Sequence, residues 1–171
     1  LGGKTFYSCK VANDEAGDFF CEELERQGVT SNLTINNRLP GTTGSCLVLV
    51  TPDADRTMNT HLGISESLSK DELSEVSIAT SKYLYIEGYL SSSPTGCDAA
   101  MTAMKQAKKH GTKTSLTLSD QNMITYFNNN LLNMITSDGV DLLFCNEDEA
   151  KLFSQVANLT TVCNTLKKFA K

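Results

Sequence analysis

The feature that most restricts this chain is a regular exchange of short β-prone runs for longer helical stretches. Residues 5–9 (Thr-Phe-Tyr-Ser-Cys), 83–86, 113–118 and 142–145 are compact runs, and each gives way to apolar positions spaced by three or four. Strands that alternate with helices are joined by right-handed crossovers, so the expected architecture is a mostly parallel sheet covered on both faces. In such a sheet the carboxyl ends of the strands share one edge, where the next helices start and ligands bind.

Helix boundaries follow from local chemistry. Asn13-Asp14-Glu15 is an N-cap with acid in the first turn, and Ala16, Phe20 and Leu24 share a face before Gly28 stops the helix. Ser69-Lys70-Asp71-Glu72 is a capping box and predicts a short helix. Residues 94–110 are helical by period, with Cys97, Met101, Met104 and Lys108 in one row and Gly111 closing it; these methionines are core filler. Asp120 can cap a helix with the stripe Ile124, Phe127, Leu131 and Ile135, leaving residues 128–130 outward. Residues 147–155 and 158–170 read as two more helices, the second with Val162, Leu166 and Phe169 inward.

Residues 32–63 break the alternation. Asn36-Asn37 and Pro40-Gly41 are turn signals, 45–51 and 56–62 are strands, and 52–55 turn between them. A β-hairpin inserted into a βα pattern is either an edge hairpin of the sheet or a cover over a ligand. The division expected is 1–31, first part of the core; 32–63, the insertion; and 64–171, the continuing core.

Polar groups collect where strands end: Glu87 after 83–86, Asp120 after 113–118, and Asn146 with Glu149 after 142–145. An amide and a carboxylate three residues apart at a helix start can cap that helix or hold hydrated Mg2+ near phosphates. The residues alone leave both readings open.

Composition limits the function. The 171 residues are 40% hydrophobic and 20% charged with net charge -5, enough for one core. The acidic balance, without a block of Lys and Arg, argues against a nucleic-acid partner. No apolar run reaches the roughly 18 residues of a membrane span and no signal peptide is visible, so no membrane role and a cytoplasmic location are expected. Cys9, Cys21, Cys46, Cys97, Cys145 and Cys163 lack Cys-x-x-Cys or His spacing and read as reduced core residues. His61 and His110 have no Ser or Cys partner for a triad, and the sequons at Asn32 and Asn158 are chance matches in a cytoplasmic chain.

Six strings in order carry a resemblance: 11–17 (Val-Ala-Asn-Asp-Glu-Ala-Gly), Thr43-Gly44, 55–63 (Asp-Arg-Thr-Met-Asn-Thr-His-Leu-Gly), 85–90 (Tyr-Ile-Glu-Gly-Tyr-Leu), 116–120 (Leu-Thr-Leu-Ser-Asp) and 146–150 (Asn-Glu-Asp-Glu-Ala). On these the chain resembles the ribokinase-like (PfkB) sugar and nucleoside kinases, most closely their bacterial adenosine-kinase-like branch. The resemblance implies a three-layer α/β/α fold with a β-hairpin lid, ATP and Mg2+ as cofactors, and phosphoryl transfer to a hydroxyl of adenosine or a pentose-type substrate. It implies that Asn146 and Glu149 organise Mg2+ through water together with the phosphates, joined on the phosphate side by Asp120. Glu87 would face the sugar, and Cys46, Val48 and Met58 would form the apolar underside of the lid, through which two copies could also pair.

Ala12 stands where the family usually has Gly. The family's Gly-Gly motif falls before Leu1, and its Gly-Ala-Gly-Asp segment, with the catalytic base, falls beyond Lys171. The chain is therefore expected to be the middle of a kinase domain, incomplete at both ends, with no catalytic base and no turnover of its own. The competing expectation is a non-catalytic binding or self-associating module of the same fold, pairing through residues 45–62.

Overall fold

The computed structural model describes residues 2–34 and 37–170. The Asn36 half of the expected Asn36-Asn37 turn lies outside them. The chain divides into two compact units, Leu1–Glu72 and Leu73–Lys171.

In the first unit β1 (Phe6–Tyr7) and β2 (Thr30–Ser31) pair in parallel, with α1 (Glu15–Arg26) between them in sequence. The run expected over 5–9 is thus a strand at two residues. The Asn32 side chain replaces the ladder beyond Tyr7, accepting from the Cys9 N–H at 2.9 Å and donating to the Cys9 carbonyl at 2.9 Å. Asp14 caps α1, its carboxylate accepting from the Gly17 N–H at 2.9 Å. Ala16 is exposed, contrary to expectation; Gly17 is the buried position, and the inward stripe runs through Gly17, Phe20, Cys21 and Leu24.

The hairpin forms as read, with β3 (Ser45–Val50) antiparallel to β4 (Arg56–His61). Its base is tied to the start of α1, because Asp14 also accepts from the Thr43 N–H at 2.8 Å and the Thr43 hydroxyl at 2.5 Å. Ser69-Lys70-Asp71-Glu72 closes the expected box, with Glu72 accepting from the Ser69 N–H at 2.7 Å. It yields only a 3-10 turn over Lys70–Glu72.

The second unit begins with α2 (Glu75–Thr80), capped by Ser74, and continues through β5 (Tyr83–Glu87), α3 (Pro94–His110), β6 (Lys113–Thr117), α4 (Gln121–Ser137), β7 (Leu142–Phe144), α5 (Glu147–Ser154) and α6 (Leu159–Leu166). Pro at the first position of α3 and Gly111 in the left-handed region, φ 72, bound that helix where the sequence reading put its ends. The three strands form one parallel sheet in the order β5-β6-β7.

One face of the sheet supplies the core. Ile86 and Leu116 pack with Met104 of α3, Leu131 and Ile135 of α4, and Phe153 of α5. The opposite face carries Tyr83, Tyr85, Leu142 and Phe144, each 43% to 54% exposed, lining a shallow groove with Ser115. The strands alternate here, whereas the sequence reading expected cover on both faces. Of the three asparagines expected to face outward on α4, only Asn129 is exposed; Asn130 donates to the Ser91 carbonyl at 2.8 Å. Cys9 is buried, and burial, with Cys21 beside it, pushes its thiol up to about 12. Cys46 and Cys163 are exposed, so they are not core residues as expected, because one lies on the hairpin and the other on the open side of α6. Among the described residues no helix is long and apolar enough to cross a membrane.

The ends of α2 and α3 share an ion pair. Glu75 accepts from Lys109 Nζ at 2.8 Å and lies 2.9 Å from His110 Nε2. The hydrogen bond from Lys109, then that from His110, lowers the Glu75 carboxyl from 4.5 to about 2. A depressed carboxyl stabilises the fold fully above its ordinary value and loses that contribution as pH falls through its folded value. Glu75→Gln should therefore flatten the acid side of the stability profile between pH 4.5 and about 2, measured by urea midpoints at each pH. Parallel wild-type and variant curves would rule the pair out as an acid-sensitive contact.

Candidate functional site

Parallel order places the carboxyl ends of β5, β6 and β7 on one edge of the second unit's sheet, and the polar residues predicted from the sequence stand there. Glu87 is the last residue of β5 and lies in register with Thr117 of β6. Gly88 follows it, where a Cβ would lie 2.4 Å from the Thr117 carbonyl oxygen, so only glycine lets the chain turn this close to the neighbouring strand. After β6 come Ser119 and Asp120; Asp120 caps α4 by accepting from the Met123 N–H at 2.9 Å.

Asn146 and Glu149 follow β7 and form a complete capping box. Asn146 Oδ1 accepts from the Glu149 N–H at 2.8 Å, and Glu149 Oε2 accepts from the Asn146 N–H at 3.1 Å. The Asn146 amide also donates to Glu149 Oε1 at 2.7 Å. Glu149 is 6% exposed although Asn146, Glu147 and Asp148 around it are exposed, so its carboxylate is held in a fixed pose just inside an open helix start. The capping reading is thus observed, and it leaves a cation role open. Each carboxylate oxygen accepts one bond from Asn146 and keeps acceptor capacity for the waters of a hydrated cation. Among the described residues no group of three or more His, Cys, Asp and Glu is placed to hold a metal directly. The donor set fits an outer-shell role for Asn146 and Glu149, and does not form an all-protein cage.

Two tyrosines, to which the sequence reading gave no role of their own, join these residues. The Tyr89 hydroxyl is held above its ordinary range by burial first, then by Asp120, with Glu87 and Glu149 adding to the shift. One hydroxyl thus feels all three carboxylates of the edge. Tyr85 is raised by the partial burial of its hydroxyl and then by Glu87, with which it shares a strand face. The alternation Tyr83-Leu84-Tyr85-Ile86-Glu87 carried that signal, since residues two apart on a strand point the same way. Ser119 was also missed: its hydroxyl donates to Glu87 Oε2 at 3.2 Å.

Cys46, Val48 and Met58 belong to the first unit. The register pairs Val48 with Met58 and Cys46 with Thr60, so the three share one hairpin face, and Cys46 Sγ lies 3.2 Å from the Thr60 hydroxyl. Val48 and Met58 are 43% and 56% exposed. The structure thus brings Glu87, Asp120, Asn146 and Glu149 to one sheet edge and leaves the apolar trio on a hairpin of the other unit.

The chain has clear relatives. The description "pfkB family carbohydrate kinase" matches residues 1–171. An adenosine kinase from Sinorhizobium meliloti is 32% identical with a TM-score of 0.93, the match covering 100% of this chain and 52% of that one. A probable sugar kinase protein from Rhizobium etli CFN 42 is 30% identical with a TM-score of 0.92, covering 99% of this chain and 51% of the other. An uncharacterized sugar kinase of Archaeoglobus fulgidus is 30% identical over 73 residues, 43% of this chain and 28% of that protein. The matches span about half the length of the two solved relatives and 28% of the third.

Proposed function

The chain belongs to the pfkB family of carbohydrate kinases and carries part of their ribokinase-like α/β fold, and from that premise we propose that it supplies the acceptor and phosphate edge of an ATP-dependent kinase acting on adenosine or a pentose-type substrate. The observation that carries this reading is the convergence of Glu87, Asp120, Asn146 and Glu149 at the carboxyl ends of three adjacent parallel strands. Identity of 32% to an adenosine kinase supports the nucleoside branch.

Phosphoryl transfer asks a protein for positioning, charge stabilisation and exclusion of water more than for covalent chemistry. Bound Mg2+ and ATP supply a transferable γ-phosphoryl group with its charge partly neutralised. On this reading Glu87 accepts a hydrogen bond from a sugar hydroxyl and so orients the acceptor. Asn146 and Glu149 hold water around the cation, with the box of hydrogen bonds between them keeping the carboxylate in place. Asp120 stands on the phosphate side, fixed by its cap to α4. No residue of this chain is assigned as the base that takes the hydroxyl proton.

Residues 32–63, between core segments 1–31 and 64–171, are assigned the lid, with Cys46, Val48 and Met58 as its apolar underside and a pairing surface for a second copy. Two glycines at its base, Gly44 and Gly63, sit where a Cβ would meet the Leu62 and Thr42 carbonyl oxygens, at 2.7 and 2.1 Å.

The test is an acceptor panel. The whole protein, given Mg2+ and ATP, should phosphorylate adenosine or ribose at a higher kcat/KM than any hexose. A preference for a hexose would overturn the assignment of acceptor class.

A further inference from the structure

We propose that Ser119 is a positioning residue that holds the Glu87 carboxylate in its acceptor-facing pose; this rests on the acceptor role given to Glu87 above. Ser119 has φ 71, the left-handed region that favours glycine and, after it, asparagine and aspartate. A serine kept in that conformation points to a use for its side chain.

The hydrogen bonds show the use. Ser119 Oγ accepts from the Tyr89 N–H at 3.2 Å and donates to Glu87 Oε2 at 3.2 Å. With a lone pair occupied by the Tyr89 amide, the hydroxyl proton is directed at the carboxylate. The Ser119 backbone is itself fixed, its N–H donating to Thr117 Oγ1 at 3.2 Å and its neighbour Asp120 capping α4. Thr117 is the register partner of Glu87, and Gly88 packs against the Thr117 carbonyl, so both ends of the bridge stand on the same rigid pair of strands. The bridge ties the first two strand ends of the edge together through a side chain bonded to Glu87 and to the Tyr89 backbone. Tyr85, beside Glu87 on β5, remains as a second neighbour when Ser119 is altered, so the expected loss is partial.

Ser119→Gly and Ser119→Ala separate positioning from folding. Both remove the hydroxyl, but glycine suits the left-handed backbone and alanine does not. In the whole protein each should raise KM for adenosine about tenfold, the loss of one hydrogen bond to a charged group. KM for ATP should stay within about twofold, since the Ser119 hydroxyl bonds Glu87 and the Tyr89 backbone and, among the described residues, none of the Asp120, Asn146 and Glu149 side chains. Ser119→Gly should unfold at a higher temperature than Ser119→Ala while sharing its acceptor defect; a merely structural role would instead make the defect follow stability. Glu87→Gln is measured beside them, and equilibrium dialysis against adenosine reads the same three variants without turnover. If Glu87→Gln weakens adenosine and neither Ser119 variant does, the positioning role falls alone. If Glu87→Gln changes nothing, or the wild type neither binds nor phosphorylates adenosine or ribose, the acceptor reading falls and takes this proposal with it.

Discussion

Glu149→Gln should lower Mg2+-dependent turnover of the whole protein by roughly 10- to 100-fold, the usual cost of losing an outer-shell partner at a metal site. The substitution is informative because glutamine keeps the capping role. Asn146 Oδ1 still accepts from the backbone N–H of residue 149, and a glutamine oxygen can still accept from the Asn146 N–H. What disappears is the negative charge and the acceptor for the Asn146 amide, now at 2.7 Å from Glu149 Oε1. Facing one amide NH2 with another should cost about 1 kcal/mol of stability. A cap-only role predicts that small loss with normal turnover. A charge role predicts the large kinetic loss on a protein that unfolds nearly as before.

Leu116→Ala should have the largest effect on folding. Leu116 is fully buried on the central strand of the three, paired in register with Ile86 on one side and Leu143 on the other. Its side chain joins Met104, Leu131 and Phe153 in the main core cluster, so truncation leaves a cavity walled by three elements. The expected cost is about 2–5 kcal/mol, a large part of the roughly 5–15 kcal/mol that holds a domain together. Urea unfolding followed by circular dichroism should show a lower midpoint with an unchanged slope. Leu47→Ala, at a position 65% exposed on the hairpin, should move the midpoint little. Equal effects at the two positions would contradict this placement of the core.

The parts of the fold legible in the sequence are those fixed by local chemistry. Pro94 and Gly111 bound α3, Asp120 caps α4, and Asn146 with Glu149 opens α5, because each signal acts within a turn of its own position. Strand length was less legible where a distant side chain decided it: Asn32 takes over both backbone groups of Cys9 and ends the ladder at Tyr7. The box at Ser69 and Glu72 formed, yet Lys10 draws Glu72 into an ion pair at 3.2 Å and the helix waits for Ser74. Asn130 looked like surface until the Ser91 carbonyl supplied a partner from outside its helix.

The candidate site divides the same way. Glu87, Asp120, Asn146 and Glu149 could be found because strand ends in a parallel sheet share an edge. Ser119 could not, since nothing in its residue type announces a left-handed backbone, and its partner Glu87 lies 32 positions away. Tyr89 stands two residues from Glu87, but the influence of Asp120 and Glu149 on its hydroxyl arrives from segments distant in sequence.

The central claim is that this edge organises phosphoryl transfer, and it is tested most directly by following the label of γ-32P-ATP in the whole protein with adenosine and Mg2+. The account predicts label on the nucleoside in the wild type, lost when Mg2+ is chelated and reduced at least tenfold in Glu149→Gln. Label appearing equally on the nucleoside in wild type and Glu149→Gln, or only as inorganic phosphate in both, would contradict it.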